Sequence, residues 1–126
     1  MPTRGRIPEA GAVGELQGIT RIRFHEGKLE EFKSLSARCM EIVRTKDTGT
    51  LQFEVYFNDD QSECIVLERY RDSDALIEHA MHLGDLGQAI FATGSVSSAC
   101  LGEPSAMLRA QLGGSEVQLF TPYLSL

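Results

Sequence analysis

Apolar positions along the chain change their period several times, and each change marks an element. From Leu16 to His25, Ile19, Ile22 and Phe24 are interleaved with Thr20, Arg21 and Arg23. That two-residue alternation predicts a strand, and its slip around Ile19 implies a bulge or partial cover on both faces. Gly27 punctuates, after which Leu29, Phe32, Leu35, Cys39, Ile42 and Val43 recur at three- and four-residue steps. The stripe predicts an amphipathic helix to about Arg44, its other side carrying Lys28, Glu30, Glu31, Lys33, Arg38 and Glu41. KDTG (Lys46 to Gly49) reads as a turn, and Leu51, Phe53, Val55 and Phe57 then alternate with Gln52, Glu54 and Tyr56 in the cleanest strand pattern of the chain. NDDQ (Asn58 to Gln61) reads as a hairpin loop, and the return strand runs from Ser62 to Tyr70. Ile65, Val66 and Leu67 in its middle put apolar groups on both faces.

Asp72 is the expected cap of a second helix with Ala75, Leu76, His79, Ala80 and Leu83 on one side. Gly84 and Gly87 interrupt it before a short helical piece through Ile90 and Phe91, and Val96 to Leu101 form a weak, Ser-rich strand. Pro104 suits the first turn of a further helix containing Met107, Leu108 and Leu112, and Val117 to Leu124 is the last predicted strand. The order β-α-β-β-α-β predicts an α+β fold: an antiparallel sheet with helices on one face, plus a C-terminal helix and strand. The other face lacks cover, which predicts a homodimer, and the apolar C-terminal strand is a candidate to reach the partner. Residues 1–15 are expected to be a flexible lead segment, 16–103 the folded domain and 104–126 an extension.

Composition narrows the functional classes. A 126-residue chain that is 42% hydrophobic and 24% charged suits one globular domain. Its net charge of −6 argues against nucleic acid or an anionic membrane as partner, since both reward clustered cations. No run approaches the roughly 18 apolar residues of a membrane span, and the N-terminus has no apolar stretch of the secretory kind. Cys39, Cys64 and Cys100 are odd in number and widely spaced, so neither a disulfide framework nor a zinc ribbon is expected. The expected location is cytoplasmic.

Three segments together resemble the antibiotic biosynthesis monooxygenase (ABM) domain. They are GITRIRFHEGKLEEF (Gly18 to Phe32), TGTLQFEVYFND (Thr48 to Asp59) and ERYRDSDALIEHAMH (Glu68 to His82), with Glu68, Tyr70, Asp72, Ala75, Leu76 and His79 the most specific part. The resemblance covers about residues 16 to 101. It departs from the family at Glu26, where many members have proline. It implies a ferredoxin-like fold that dimerises through its sheets into an α+β barrel, with a small-molecule pocket between sheet and helices. Members include oxygenases that work without metal or flavin, haem-degrading proteins and isomerases of small phosphorylated metabolites, so the fold leaves the reaction open. The haem-degrading branch relies on an Asn, a Trp and a His; this chain has no Trp, and its only Asn, Asn58, lies in the hairpin loop.

Cofactor-free oxygenation needs a base, donors that hold the substrate anion and an apolar cavity that excludes water. His79, on the apolar stripe of the second helix and at the position of a functional histidine in relatives, is the expected catalytic residue. A histidine satisfied inside the core is the structural alternative. Expected substrate contacts are Tyr70, Arg21, Phe53, His82 and Phe91, with Phe57 and Met81 as further candidate walls. Tyr70 and Glu68, like Tyr56 and Glu54, could equally tie strands together, and Arg21 and Arg23 could pair with Glu68 or Glu54. His25 is expected to be exposed. His79 and His82 with Glu78 form too weak a pattern for a metal, and no cofactor is expected. The leading expectation is a cofactor-independent monooxygenase of a small quinol, phenolic or polyketide-like substrate. The alternatives are a non-catalytic dimeric binding or stress-response module, and an isomerase of a phosphorylated metabolite.

Overall fold

The structure, a computed structural model, describes residues 14–126. The expectation of a flexible segment therefore falls almost wholly outside the described residues. Strand β1 (Leu16–Phe24), helix α1 (Leu29–Lys46), strands β2 (Thr50–Phe57) and β3 (Glu63–Tyr70), and helix α2 (Ser73–Leu83) follow in order. Helix α3 (Asp85–Phe91), strand β4 (Gly94–Leu101), helix α4 (Ala106–Gly113) and strand β5 (Gln118–Phe120) complete the chain. The sheet order is β2-β3-β1-β4-β5, antiparallel except that β5 runs parallel to β4. This is the ferredoxin-like α+β arrangement, and the sheet is open.

Strand alternation sorts the residues into two faces. Leu16, Gly18, Thr20 and Ile22 of β1 and Cys64, Val66, Glu68 and Tyr70 of β3 face the helices. Ile22, Phe32, Cys39, Cys64, Val66, Leu86 and Ile90 form the main core there. Ile19 belongs to the opposite face, where Leu67 and Ala99 flank it. The irregularity expected near Ile19 lies instead between Thr50 and Gln52 of β2.

Asp72 caps α2 as expected, its side chain accepting from the Ala75 N–H at 2.9 Å. At α4 the cap is Ser105, so Pro104 precedes the helix rather than occupying its first turn. The α4 start is pinned to α2 by a 2.8 Å bond from the Ser105 N–H to the Ser73 hydroxyl. Leu108 of α4 is buried against Leu16 and Cys100, making a second small core. The last strand is much shorter than Val117 to Leu124. After Phe120 the chain leaves the sheet edge, and Tyr123, Leu124 and Leu126 are exposed. Among the described residues no helix is long and apolar enough to cross a membrane.

Candidate functional site

A cavity of about 360 Å³ lies between the sheet and helices α1, α2 and α3. Its floor is Gly18, Thr20, Val66, Glu68, Tyr70 and Ser98, and His79 and Leu76 of α2 form part of the wall. Exposed Gly84, Gln88 and Phe91 place the mouth where α2 gives way to α3. Leu112 and Val117 also line it, so the C-terminal extension helps to close the cavity. That volume suits a small ligand, and a mostly apolar wall with a few polar groups is the usual form of such a site.

His79 is buried at the cavity wall, its ring centroid 5.6 Å from Phe53 and 5.4 Å from Tyr70. Its Nδ1 lies 2.8 Å from Oδ2 of Asp47, while Nδ1 of His82 lies 2.7 Å from Oδ1 of the same carboxylate. The Thr50 hydroxyl donates to Asp47 Oδ2 at 2.7 Å. Burial pushes the Asp47 carboxyl upward, but the bonds from His82, His79 and Thr50 outweigh it and hold the group below its ordinary value. An ionised carboxylate only accepts, so each imidazole must donate from Nδ1. For neutral His79 the lone pair then sits on Nε2, the nitrogen left for a molecule in the cavity.

The turn before β2 positions Asp47. Thr48 donates from its N–H and its hydroxyl to Oε1 of Glu78 on α2, each at 3.0 Å. The Arg71 N–H donates to the Gly49 carbonyl at 2.9 Å. A Cβ at Gly49 would stand 2.5 Å from that of Ala75, so glycine is what lets the turn lie on α2. The KDTG segment is thus a part of the site as well as a turn.

Glu68 and Tyr70 form the second polar group. The Tyr70 hydroxyl is hydrogen-bonded to Oε1 of Glu68. Burial raises the Tyr70 phenol above its ordinary value, and the neighbouring Glu68 adds to this. Burial also raises Glu68, outweighing the Tyr70 bond and the nearby His79. Thr20 and Ser98, opposed on β1 and β4, share a 2.9 Å hydroxyl contact.

The other expected residues divide. Phe53 and Phe91 line the cavity with Tyr70 and His79. His82 is half-buried outside the lining and touches the site only through Asp47. Arg21 is displaced from the expected place: with Thr20 and Ile22 facing inward, strand alternation turns Arg21 and Arg23 to the open face. Both guanidinium groups pair there with Glu63, at 2.6 and 3.8 Å, rather than with Glu68 or Glu54. Phe57 packs against Phe24 and Phe32, Met81 is exposed, and His25 is exposed as expected. Glu54 accepts from Gln52 and Tyr56 on the open face. Asp47 and Glu68 were absent from the expected site because an Asp in a turn and a Glu in a strand have ordinary structural uses.

Asp47, Glu78 and His82 hold potential ligand atoms within 4.8 Å of one another. Hydrogen bonds already engage Asp47, Oε1 of Glu78 and Nδ1 of His82, and three ligands of this type fit several divalent ions without selecting one. The thiols offer no nucleophile: burial raises Cys39 to about 12, Cys64 to about 11 and Cys100 above its ordinary value.

The chain superposes on MupZ from Pseudomonas fluorescens at 23% identity and TM-score 0.76, covering 89% of this chain and 93% of that one. Rv0793 from Mycobacterium tuberculosis gives 20% and 0.63, with 72% and 96% covered. SnoaB, a cofactor-independent oxygenase from Streptomyces nogalater, gives 17% and 0.62, with 75% and 98% covered. At these identities the likeness is one of fold. No curated protein matches the sequence. The family model described as antibiotic biosynthesis monooxygenase matches residues 18–83, more than half of the chain. The chain therefore belongs to the antibiotic biosynthesis monooxygenase family.

Proposed function

We propose that this protein is a cofactor-independent monooxygenase of a small, uncharged phenolic, quinol or polyketide-like molecule, with His79 as its general base. The carrying observation is the Asp47–His79 pair at the wall of an apolar cavity. Asp47 fixes the imidazole tautomer and stabilises the imidazolium that forms when Nε2 takes the substrate hydroxyl proton. The apolar wall keeps water from the resulting electron-rich anion, and Tyr70 and Phe53 flank it. SnoaB, named as a cofactor-independent oxygenase, has the same fold. Among the described residues the lining contains no Lys or Arg, which favours a neutral substrate over a phosphorylated one.

The same reading has two copies paired through the uncovered sheet face. It places the reaction in the cytoplasm, where buried unpaired thiols such as Cys39, Cys64 and Cys100 persist.

Oxygen uptake by the purified, metal-stripped protein with a panel of naphthols and naphthohydroquinones tests the activity. His79→Ala should lower uptake by about 10²–10⁴-fold while ligand binding persists. Binding without uptake by the wild type would replace the enzyme with a binding module.

A further inference from the structure

Glu68 is the only carboxylic side chain in the described lining of the cavity, and a base at His79 leaves it without a task. It stands on the helix-facing side of β3 beside Gly18 of β1. A Cβ at Gly18 would lie 3.6 Å from both Cβ and Oε1 of Glu68, so glycine leaves the carboxyl group's flank open. The Tyr70 hydroxyl, kept protonated by burial, donates to Oε1. Among the described residues Oε2 has no hydrogen-bond partner. The titratable groups around it are Tyr70 on β3, Cys39 and Asp47 from α1 and its end, His79 on α2 and Cys100 on β4. Among the described residues the lining has no Lys or Arg, and Asp47 is a negative charge that opposes a second one nearby.

We propose that Glu68 is a second acid–base residue of the cavity: a carboxylic acid that offers Oε2–H to the bound molecule and gives that proton to the peroxide formed there. The assignment rests on the oxygenase reading above. For a phenol, His79 first takes the hydroxyl proton. Dioxygen then bonds to a ring carbon that carries hydrogen, the ring C–O⁻ becomes a ketone, and dioxygen is reduced to a bound peroxide anion. Glu68 protonates the distal peroxide oxygen. The hydrogen on the oxygenated carbon next leaves as a proton to the Glu68 carboxylate, and the O–O bond breaks. The departing hydroxide takes the proton held by His79 and becomes water. Phenol and dioxygen thus give quinone and water, with both residues restored. Two groups pushed in opposite directions by their surroundings, Asp47 with His79 and Glu68 with Tyr70, divide base and acid between them.

Infrared difference spectra of the wild type against Glu68→Gln, at neutral pH under argon, test the state of the group with and without naphthohydroquinone. Oxygen uptake on the same samples in air tests the chemistry. The expected result is an acid C=O stretch that Glu68→Gln removes and that the ligand shifts, with uptake down about 100-fold or more and binding changed less than about threefold. A carboxylate signature at neutral pH, or an acid stretch indifferent to ligand, overturns the proposal even if the wild type consumes oxygen. So does uptake by Glu68→Gln equal to the wild type. A ligand-shifted stretch without wild-type uptake retains Glu68 as the ligand's donor and removes the oxygenase reading. If Glu68→Gln fails to fold, Tyr70→Phe serves: the stretch must persist at a changed frequency, and an unchanged one overturns the assignment.

Discussion

Asp47 accepts from two imidazoles and a hydroxyl with its side chain almost wholly buried, so its removal is felt beyond the site. In Asp47→Asn one amide oxygen remains, and the NH₂ group confronts the N–H of one histidine. The expected loss is about 1–3 kcal/mol at neutral pH, measured by urea denaturation. The wild-type contribution has a definite pH window. Because the folded-state value of Asp47 is depressed, its stabilisation is complete above the unfolded value of about 3.9 and is lost as pH falls through the folded one. The difference between variant and wild type should therefore close in acid. Glu68 has the opposite sign. Between its unfolded value of about 4.3 and its raised folded value, the native state holds a proton that the unfolded chain releases, so stability falls as pH rises. Glu68→Gln removes that dependence, and its melting temperature relative to wild type should rise as pH increases above the unfolded value, until Glu68 ionises in the folded state. At this scale the sequence reveals His79 through its place on an apolar helical stripe. Asp47 stands 32 residues from His79, and no local pattern links a turn to a helix across that separation.

The elements themselves were largely legible because their periods are clean. Phe53, Val55 and Phe57 keep strict alternation through β2, and the stripe from Leu29 to Val43 lies within α1. Legibility fails where tertiary contacts decide. Val117 to Leu124 has the residues of a strand, but only Ala99, Cys100 and Leu101 of β4 pair with it, so β5 ends at Phe120. Likewise Pro104 satisfies a first-turn rule, yet the Ser105 side chain caps α4 and starts the helix after it. Helix α4 holds its place mainly through Leu108, only 2% exposed between Leu16 and Cys100. Leu108→Ala should cost about 2–5 kcal/mol in chemical denaturation. Since Leu112 and Val117 flank the same helix end and line the cavity, the variant should also weaken ligand binding, readable by titration calorimetry.

On the scale of the whole molecule, one face of the sheet is covered by helices and the other carries a composition suited to a second copy. Leu67, Ile19 and Ala99 lie side by side across β3, β1 and β4, with Ile65 in the adjacent row. Around them stand the Arg21–Glu63 and Arg69–Glu15 ion pairs and the Gln52–Glu54–Tyr56 hydrogen bonds. An apolar centre within a polar rim is how protein interfaces are built, and a two-fold pairing of identical faces would place that centre on both sides. Leu67→Glu sets a charge at the middle of the proposed interface, where its nearest row neighbour on β2 is already Glu54. An uncompensated buried charge costs about 3–5 kcal/mol, so the dimer Kd should rise roughly 100- to 4,000-fold, measured by sedimentation equilibrium. The monomeric fold should survive, because Leu67 faces away from the core around Val66 and Ile22. Glu116→Arg, an exposed charge change before β5, should leave the sedimentation behaviour as it was. A wild type that sediments as a monomer at every concentration would defeat the paired arrangement but not the proposed site, whose described lining comes from one chain.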